Sequence, residues 1–281
     1  MHPVLNHLPA PIGAAIQPIM GHDHITEIRL RAHQPVILHM GQAEAILPCT
    51  ATPGDIAHTM EQVSQHSLYA FLPQLKEGYL TLPGGHRVGI AGQAVVEQGQ
   101  VTTWQYITGI NIRIAHSVVG CGDRVIHHVV SGPSIRHTLI ISPPGYGKTT
   151  LLRDLVRQLS HRGLTIGLAD ERGEIAGPYM GVPQHDLGPR TDVMTNCPKP
   201  LAINMLLRTM APQVVALDEM ATQPEVDAVN QAVNQGVKLM ATAHGRNLAE
   251  VKKNPILEAA IHQGVFERFI VLGKQFAPTI L

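Results

Sequence analysis

The run Ser142-Pro143-Pro144-Gly145-Tyr146-Gly147-Lys148-Thr149 constrains this chain more than any other stretch, because it joins the apolar strand Leu139-Ile140-Ile141 to an amphipathic helix. Leu151, Leu152, Leu155, Val156 and Leu159 fall on one helical face, and Gly163 ends the pattern. A strand, a glycine-bearing turn and a helix in that order make a phosphate cradle. Gly145 and Gly147 allow backbone dihedrals and a close approach that a side chain forbids, so successive N–H groups can point inward. The helix N-terminus turns its positive dipole end to the same place. Lys148 brings a charge for β and γ phosphates, and the Thr149 hydroxyl is a ligand for Mg²⁺. The expected nucleotide contacts are Pro144, Gly145, Tyr146, Gly147, Lys148, Thr149 and Thr150. The first position of the full pattern is glycine, and here the small residue Ser142 stands there.

A second strand supplies acids. Val214-Val215-Ala216-Leu217 is apolar throughout and ends in Asp218-Glu219. In an open α/β sheet such a strand delivers its carboxylates to the edge where ligands bind. Asp218 is the expected metal residue, and Glu219 the residue that polarises an attacking water. Leu168-Ala169 likewise runs into Asp170-Glu171, with Glu171 the candidate for a further acid near the metal and Asp170 or Glu174 able to cap the following turn. A strand ending Thr242-Ala243-His244 puts Thr242 and His244 on the same edge, within reach of a γ phosphate. The expected cofactors are therefore ATP and Mg²⁺, with Lys148, Glu171, Glu219 and His244 in catalytic roles.

The 281 residues suffice for two modest domains. Residues 1–125 read as a small α+β domain: Glu27 to Arg31 alternates like a half-buried strand, and Val36 to Met40 reads as a second. Thr52-Pro53-Gly54-Asp55 opens a helix whose buried face is Ile56, Met60 and Val63. Strands return from Gly78 to Ala115, with turns at Gly84-Gly85 and Gln98-Gly99. Residues 126–281 alternate strand and helix, which predicts a mainly parallel sheet. Its strands are Thr138–Ser142, Leu164–Ala169, Val214–Leu217, Lys238–Ala243 and Phe269–Leu272, with helices at Leu201–Met210 and Pro224–Gln235 among those between them. Between Ile175 and Lys199, four prolines and three glycines read as a long turn-forming loop carrying Arg190.

Twenty-one basic residues balance 21 acidic ones, and aromatics are 4% of the chain, which argues against a nucleic-acid partner. Cys49, Cys121 and Cys197 lie far apart, without the spacing of a disulfide framework or zinc site. His22-Asp23-His24 and His127-His128 lack a third ligand at helical or hairpin spacing. Met1-His2-Pro3-Val4 does not begin a secretory leader, and no apolar run approaches the roughly 18 residues of a membrane span.

The residues quoted so far, together with Asp170-Glu171-Arg172-Gly173-Glu174-Ile175-Ala176-Gly177 and Gly181-Val182-Pro183-Gln184-His185-Asp186-Leu187-Gly188-Pro189-Arg190-Thr191-Asp192-Val193, resemble the stage III sporulation AA family, relatives of the type II and type IV secretion ATPases. The resemblance covers nearly the whole chain. It implies a RecA-like P-loop NTPase core of the AAA-related type, preceded by the smaller domain. It implies a cytoplasmic ATPase forming a homo-oligomer, a hexameric ring, peripheral at the inner face of a membrane through channel or assembly proteins. It assigns Asp170 and Glu171 to an acidic box, Thr242 and His244 to a histidine box, and places Arg208 where those motors carry an arginine. Arg29, Arg31, Arg87 and Arg113 become candidates for arginines that act across subunits. The chain departs from the family at Met220-Ala221, where Ile-Gly is usual, and at Gly173, where serine is common. Two other readings stay open: a nucleic-acid-dependent ATPase on the same core, and an assembly factor that binds ATP as a switch with little turnover.

Overall fold

A computed structural model describes residues 2–20, 25–41, 43–65, 71–116, 118–132, 134–274 and 277–281. The chain forms two compact units, Met1–His116 and Ser117–Leu281.

The first unit starts with a 3₁₀ turn, Pro3–His7, and helix α1, Ala10–Met20. Strands β1 (Glu27–Arg31), β2 (Gln34–Met40) and β3 (Ala43–Ala51) follow, then helices α2 (Pro53–Val63) and α3 (Leu72–Lys76), and strands β4 (Tyr79–Thr81), β5 (Arg87–Glu97) and β6 (Gln100–Arg113). The strands make one antiparallel sheet in the order β3-β2-β1-β6-β5-β4. Period-two alternation buries Ile28, Leu30, Val36, Leu38, Val88, Ile90, Ile110 and Ile112. The α2 start is a reciprocal cap: the Thr52 hydroxyl accepts from the Asp55 amide at 3.1 Å, and the Asp55 carboxylate accepts from the Thr52 amide at 2.8 Å. Strand β3 was not anticipated. It is an edge strand holding Pro48 and three alanines, residues that weaken the strand pattern and are tolerated where only one neighbour must be bonded.

The second unit begins with a short helix α4 (Ile126–Val129) and a ribbon of β7 (Val130–Ser131) and β8 (Ser134–Ile135). The core then runs β9 (Thr138–Ser142), α5 (Lys148–His161), β10 (Ile166–Asp170), β11 (Thr191–Thr195), α6 (Lys199–Thr209), β12 (Val214–Leu217), α7 (Gln223–Asn234) and β13 (Lys238–His244). It ends with α8 (Leu248–Val251), α9 (Pro255–His262), β14 (Arg268–Leu272) and β15 (Pro278–Ile280). Sheet order is β11-β10-β12-β13-β9-β14-β15, parallel except for the β14 and β15 pair. Alternate residues of the same strands feed two cores. Ile140, Leu168, Ala216 and Met240 join the α5 face, while Leu139, Ala169, Leu217 and Ala241 join the face of α6, α7 and α9. Cover on both faces explains the nearly unbroken apolar strands.

The stretch from Ile175 to Lys199 is not wholly a loop, since β11 lies within it. All five of its residues are half-buried, so no alternation marks it in sequence. Helix α6 starts two residues earlier than expected, at Lys199. Parallel register brings the C-terminal ends of β9, β10, β12 and β13 to one edge, pairing Ala169 with Leu217, Leu217 with Ala241, and His244 with Ser142.

Candidate active site

The turn after β9 has the expected backbone. Gly145 and Gly147 take φ of 78° and 89°, in the left-handed region, and α5 starts at Lys148 with no side-chain cap. The first bond from an α5 amide to an upstream carbonyl runs from Leu151 to Gly147 at 2.9 Å, so the amides of the first turn lack an intrahelical acceptor. Ser142 is fully buried, its hydroxyl bonding the Pro143 carbonyl at 3.0 Å and its own carbonyl accepting from the Gly245 amide at 3.2 Å. Its φ is not positive, so glycine is not required there. Pro144 and Gly145 are exposed, while Tyr146, Gly147, Thr149 and Thr150 are half-buried around the buried Lys148.

Strand β13 lies between β9 and β12, and it knits the acids to the loop. The Thr242 hydroxyl donates to Asp218 Oδ1 and accepts from the Glu219 amide at 2.9 Å. The Thr149 hydroxyl donates to Asp218 Oδ2 at 2.8 Å. Lys148 Nζ lies 2.8 Å from Glu219 Oε1 and 4.0 Å from Asp218 Oδ1, and His244 Nε2 is 2.7 Å from the same Glu219 oxygen. Burial pushes the Glu219 carboxyl upward, but Lys148 and His244 outweigh it and hold it below its ordinary value. Glu219 also sits at φ 52°, a conformation costly for a residue with a side chain, by about 1–3 kcal/mol.

Two residues that the sequence reading did not single out hold that conformation. Lys199 Nζ donates to the carbonyls of Asp218 and Glu219 at 3.0 and 2.7 Å, bridging the strained residue, and meets Glu225 Oε1 at 2.7 Å. Glu225 accepts from the amides of Ala221 and Thr222 at 2.8 and 2.9 Å. Burial raises the Glu225 carboxyl, and the bonds from Lys199 and the two amides overcome this to lower it. For Glu225 a signal was present, since Thr222-Gln223-Pro224-Glu225 has capping-box spacing.

The acidic segment after β10 divides its labour. Asp170 is buried and caps the following turn, its carboxylate accepting from the amides of Glu174, Ile175 and Ala176 at 2.9, 3.1 and 2.8 Å. Burial nevertheless leaves this carboxyl above its usual range. Arg153, on α5, donates to the carbonyls of Ile175 and Glu174 at 2.7 and 2.8 Å, tying the phosphate-loop helix to the same turn. Gly173 takes φ 63°, and a Cβ there would lie 2.8 Å from Pro178, which explains glycine at this position. Glu171 has an exposed side chain on a cavity of about 420 Å³ that is also lined by Arg172, Asp218, Glu219, Lys199 and His244.

Arg190 and Arg208, of the same unit, make none of these contacts. Arg190 is exposed, its amide bonded to Ser160 Oγ at 2.7 Å, and Arg208 is exposed in the last turn of α6. Arg29, Arg31, Arg87 and Arg113 belong to the first unit. There Glu27 meets Arg29 at 2.7 Å and Arg113 at 3.3 Å, and the Arg87 guanidinium lies 4.5 Å from the Tyr79 ring centroid. The rings of His127 and His128 stand 3.9 Å apart, and among the described residues no group of three His, Cys, Asp or Glu is placed to hold a metal ion. His22-Asp23-His24 lies outside the described residues.

The chain order of the parallel strands, with a phosphate-type loop on β9 and acids on β12, defines a RecA-like core like that of the secretion and pilus ATPases. The DotB ATPase of Yersinia pseudotuberculosis is similar with a TM-score of 0.62 at 14% identity, covering 95% of this chain and 76% of that one. The pilus retraction motor PilT with bound ADP is similar with a TM-score of 0.61 at 14% identity, over 96% of this chain and 80% of that one. Such identities speak for the fold alone. Sequence comparison goes further: the family model for sporulation stage III, protein AA, matches residues 14–281. Stage III sporulation protein AA of Bacillus subtilis (strain 168) is 37% identical over 260 residues, 90% of this chain and 84% of the relative. The chain belongs to the sporulation stage III protein AA family.

Proposed function

We propose that this chain is a Mg²⁺-dependent ATPase of the secretion-motor type that energises a membrane channel complex. One observation carries the reading: Lys148 and Thr149 at the start of α5, Asp218 and Glu219 just past β12, and Thr242 and His244 from β13 meet at one sheet edge, joined by contacts of 2.7 to 2.9 Å. Unpaired amides at the α5 N-terminus and the ammonium of Lys148 suit a triphosphate. Thr149 and Asp218 form the oxygen pair that would hold Mg²⁺, an ion that neutralises phosphoryl charge when bound. Glu219 is held ionised, the state that accepts a hydrogen bond from water and orients it for attack on the γ phosphorus. Lys148 and His244, both on its carboxylate, are the groups placed to stabilise charge as it spreads over the γ-phosphoryl oxygens. The wider proposal is a homo-oligomeric, hexameric ring on the cytoplasmic side of a membrane. No helix among the described residues is long and apolar enough to cross a bilayer, so membrane contact in this reading passes through partner proteins.

Phosphate release by purified protein with ATP and Mg²⁺ tests the reading. Lys148→Ala should weaken nucleotide binding. Glu219→Gln should keep it and lose turnover by about 100-fold or more. Equal turnover in wild type and Glu219→Gln would remove Glu219 from its role.

A further inference from the structure

Glu219 does more than wait for water. Its Oε1 takes Lys148 Nζ at 2.8 Å and His244 Nε2 at 2.7 Å, and Arg172 Nη1 stands 3.6 Å from its Oε2. An ammonium, a guanidinium and an imidazole thus surround one carboxylate beside the phosphate loop. A carboxylate in such a nest occupies the kind of place a phosphoryl group takes, since both offer oxygens to the same donors.

Arg172 is the member that the sequence reading leaves without a task. Its side chain is 72% exposed, and an ion pair that open contributes little to stability. The main chain that carries it is nevertheless built with care. Buried Asp170 accepts from the amides of Glu174, Ile175 and Ala176, Arg153 of the phosphate-loop helix donates to two carbonyls of the same turn, and Gly173 makes the tight bend. These bonds pin residues 174–176 on one side of Arg172, the Asn196 amide donates to the Glu171 carbonyl at 3.2 Å on the other, and the guanidinium between them stands beside the Glu219 carboxylate. Arginine presents a planar fork of donors suited to phosphoryl oxygens.

We propose that Arg172 binds the terminal phosphate of a nucleoside triphosphate within its own chain, alongside Lys148 and His244, and that Glu219 keeps these donors gathered until the triphosphate takes them over. The proposal rests on the ATPase reading of the site. Glu219 would be released toward water as the donors transfer, so triphosphate binding and freeing of the base become one event. Arg172 would then recognise the third phosphate alone, because a diphosphate has nothing to offer it.

The test is calorimetric titration of the full chain, wild type, Arg172→Ala and Arg172→Lys, with Mg·ADP and with a non-hydrolysable ATP analogue. The exposed position of Arg172 predicts unchanged melting temperatures. Arg172→Ala should bind the triphosphate analogue on the order of tenfold more weakly while ADP affinity stays level. Arg172→Lys, with the charge but not the fork, should fall between. An unchanged preference for triphosphate over diphosphate in Arg172→Ala overturns the proposal, as does an equal loss for both nucleotides, which would make Arg172 a prop for the loop. Wild type that binds neither nucleotide overturns the ATPase reading itself, and this proposal with it.

Discussion

Thr242 shows how one buried hydroxyl serves both stability and chemistry. It donates to Asp218 and accepts from the Glu219 amide, fixing the two acids relative to each other from the neighbouring strand. Thr242→Val keeps the shape and removes both bonds, which should cost about 1–3 kcal/mol in urea unfolding. ATP turnover should fall by more than that loss accounts for, because the acids lose their alignment; a variant with wild-type turnover would separate Thr242 from the site. At this scale the sequence was partly legible. Lys148, Thr149, Asp218 and Glu219 stand out because their chemistry is tied to local spacing around a strand end. Lys199, Arg172 and Arg153 do not, because their partners are remote in sequence and only tertiary structure brings them together.

Among elements, the joint between β12 and α7 carries the clearest consequence. Lys199 and Glu225 are almost fully buried and share one ion pair, so removing one leaves the other without its partner. Lys199→Met should destabilise the protein by about 3 kcal/mol, and adding Glu225→Gln should recover part of it. Chemical denaturation of the three proteins measures this; equal midpoints would show that the pair does not support the fold. In the first unit, His86 is buried against the loop after β6, its Nδ1 accepting from the Ala115 amide at 3.0 Å. Burial first, then the nearby His2, His116 and His7, lower it from 6.5 to about 4. The folded form thus disfavours the proton: the stabilisation is fully present above 6.5 and is lost progressively as pH falls toward about 4. Wild-type stability should decline across that window, and His86→Gln, which keeps an oxygen acceptor, should flatten the decline. Parallel slopes would contradict this. Elements with a strong local signal, such as the Thr52 cap of α2 and the apolar face of α5, were readable in advance. Strands β3 and β11 were not, because proline, alanine and uniform half-burial erase the alternation on which recognition depends.

For the whole molecule, the balanced charge sets up no global field that would recruit nucleic acid, and the chain belongs to the sporulation stage III protein AA family. The secretion-motor reading predicts a larger particle in light scattering when ATP and Mg²⁺ are present, and an unchanged size would count against the ring. Everything nevertheless begins with the phosphate loop and its facing acids. Calorimetric titration of the intact chain with Mg·ATP, beside Lys148→Ala, asks about them most directly. Saturable one-site binding by wild type, weakened at least about tenfold by the substitution, is the predicted result; no heat of binding at millimolar nucleotide, or equal binding by both proteins, would contradict the account.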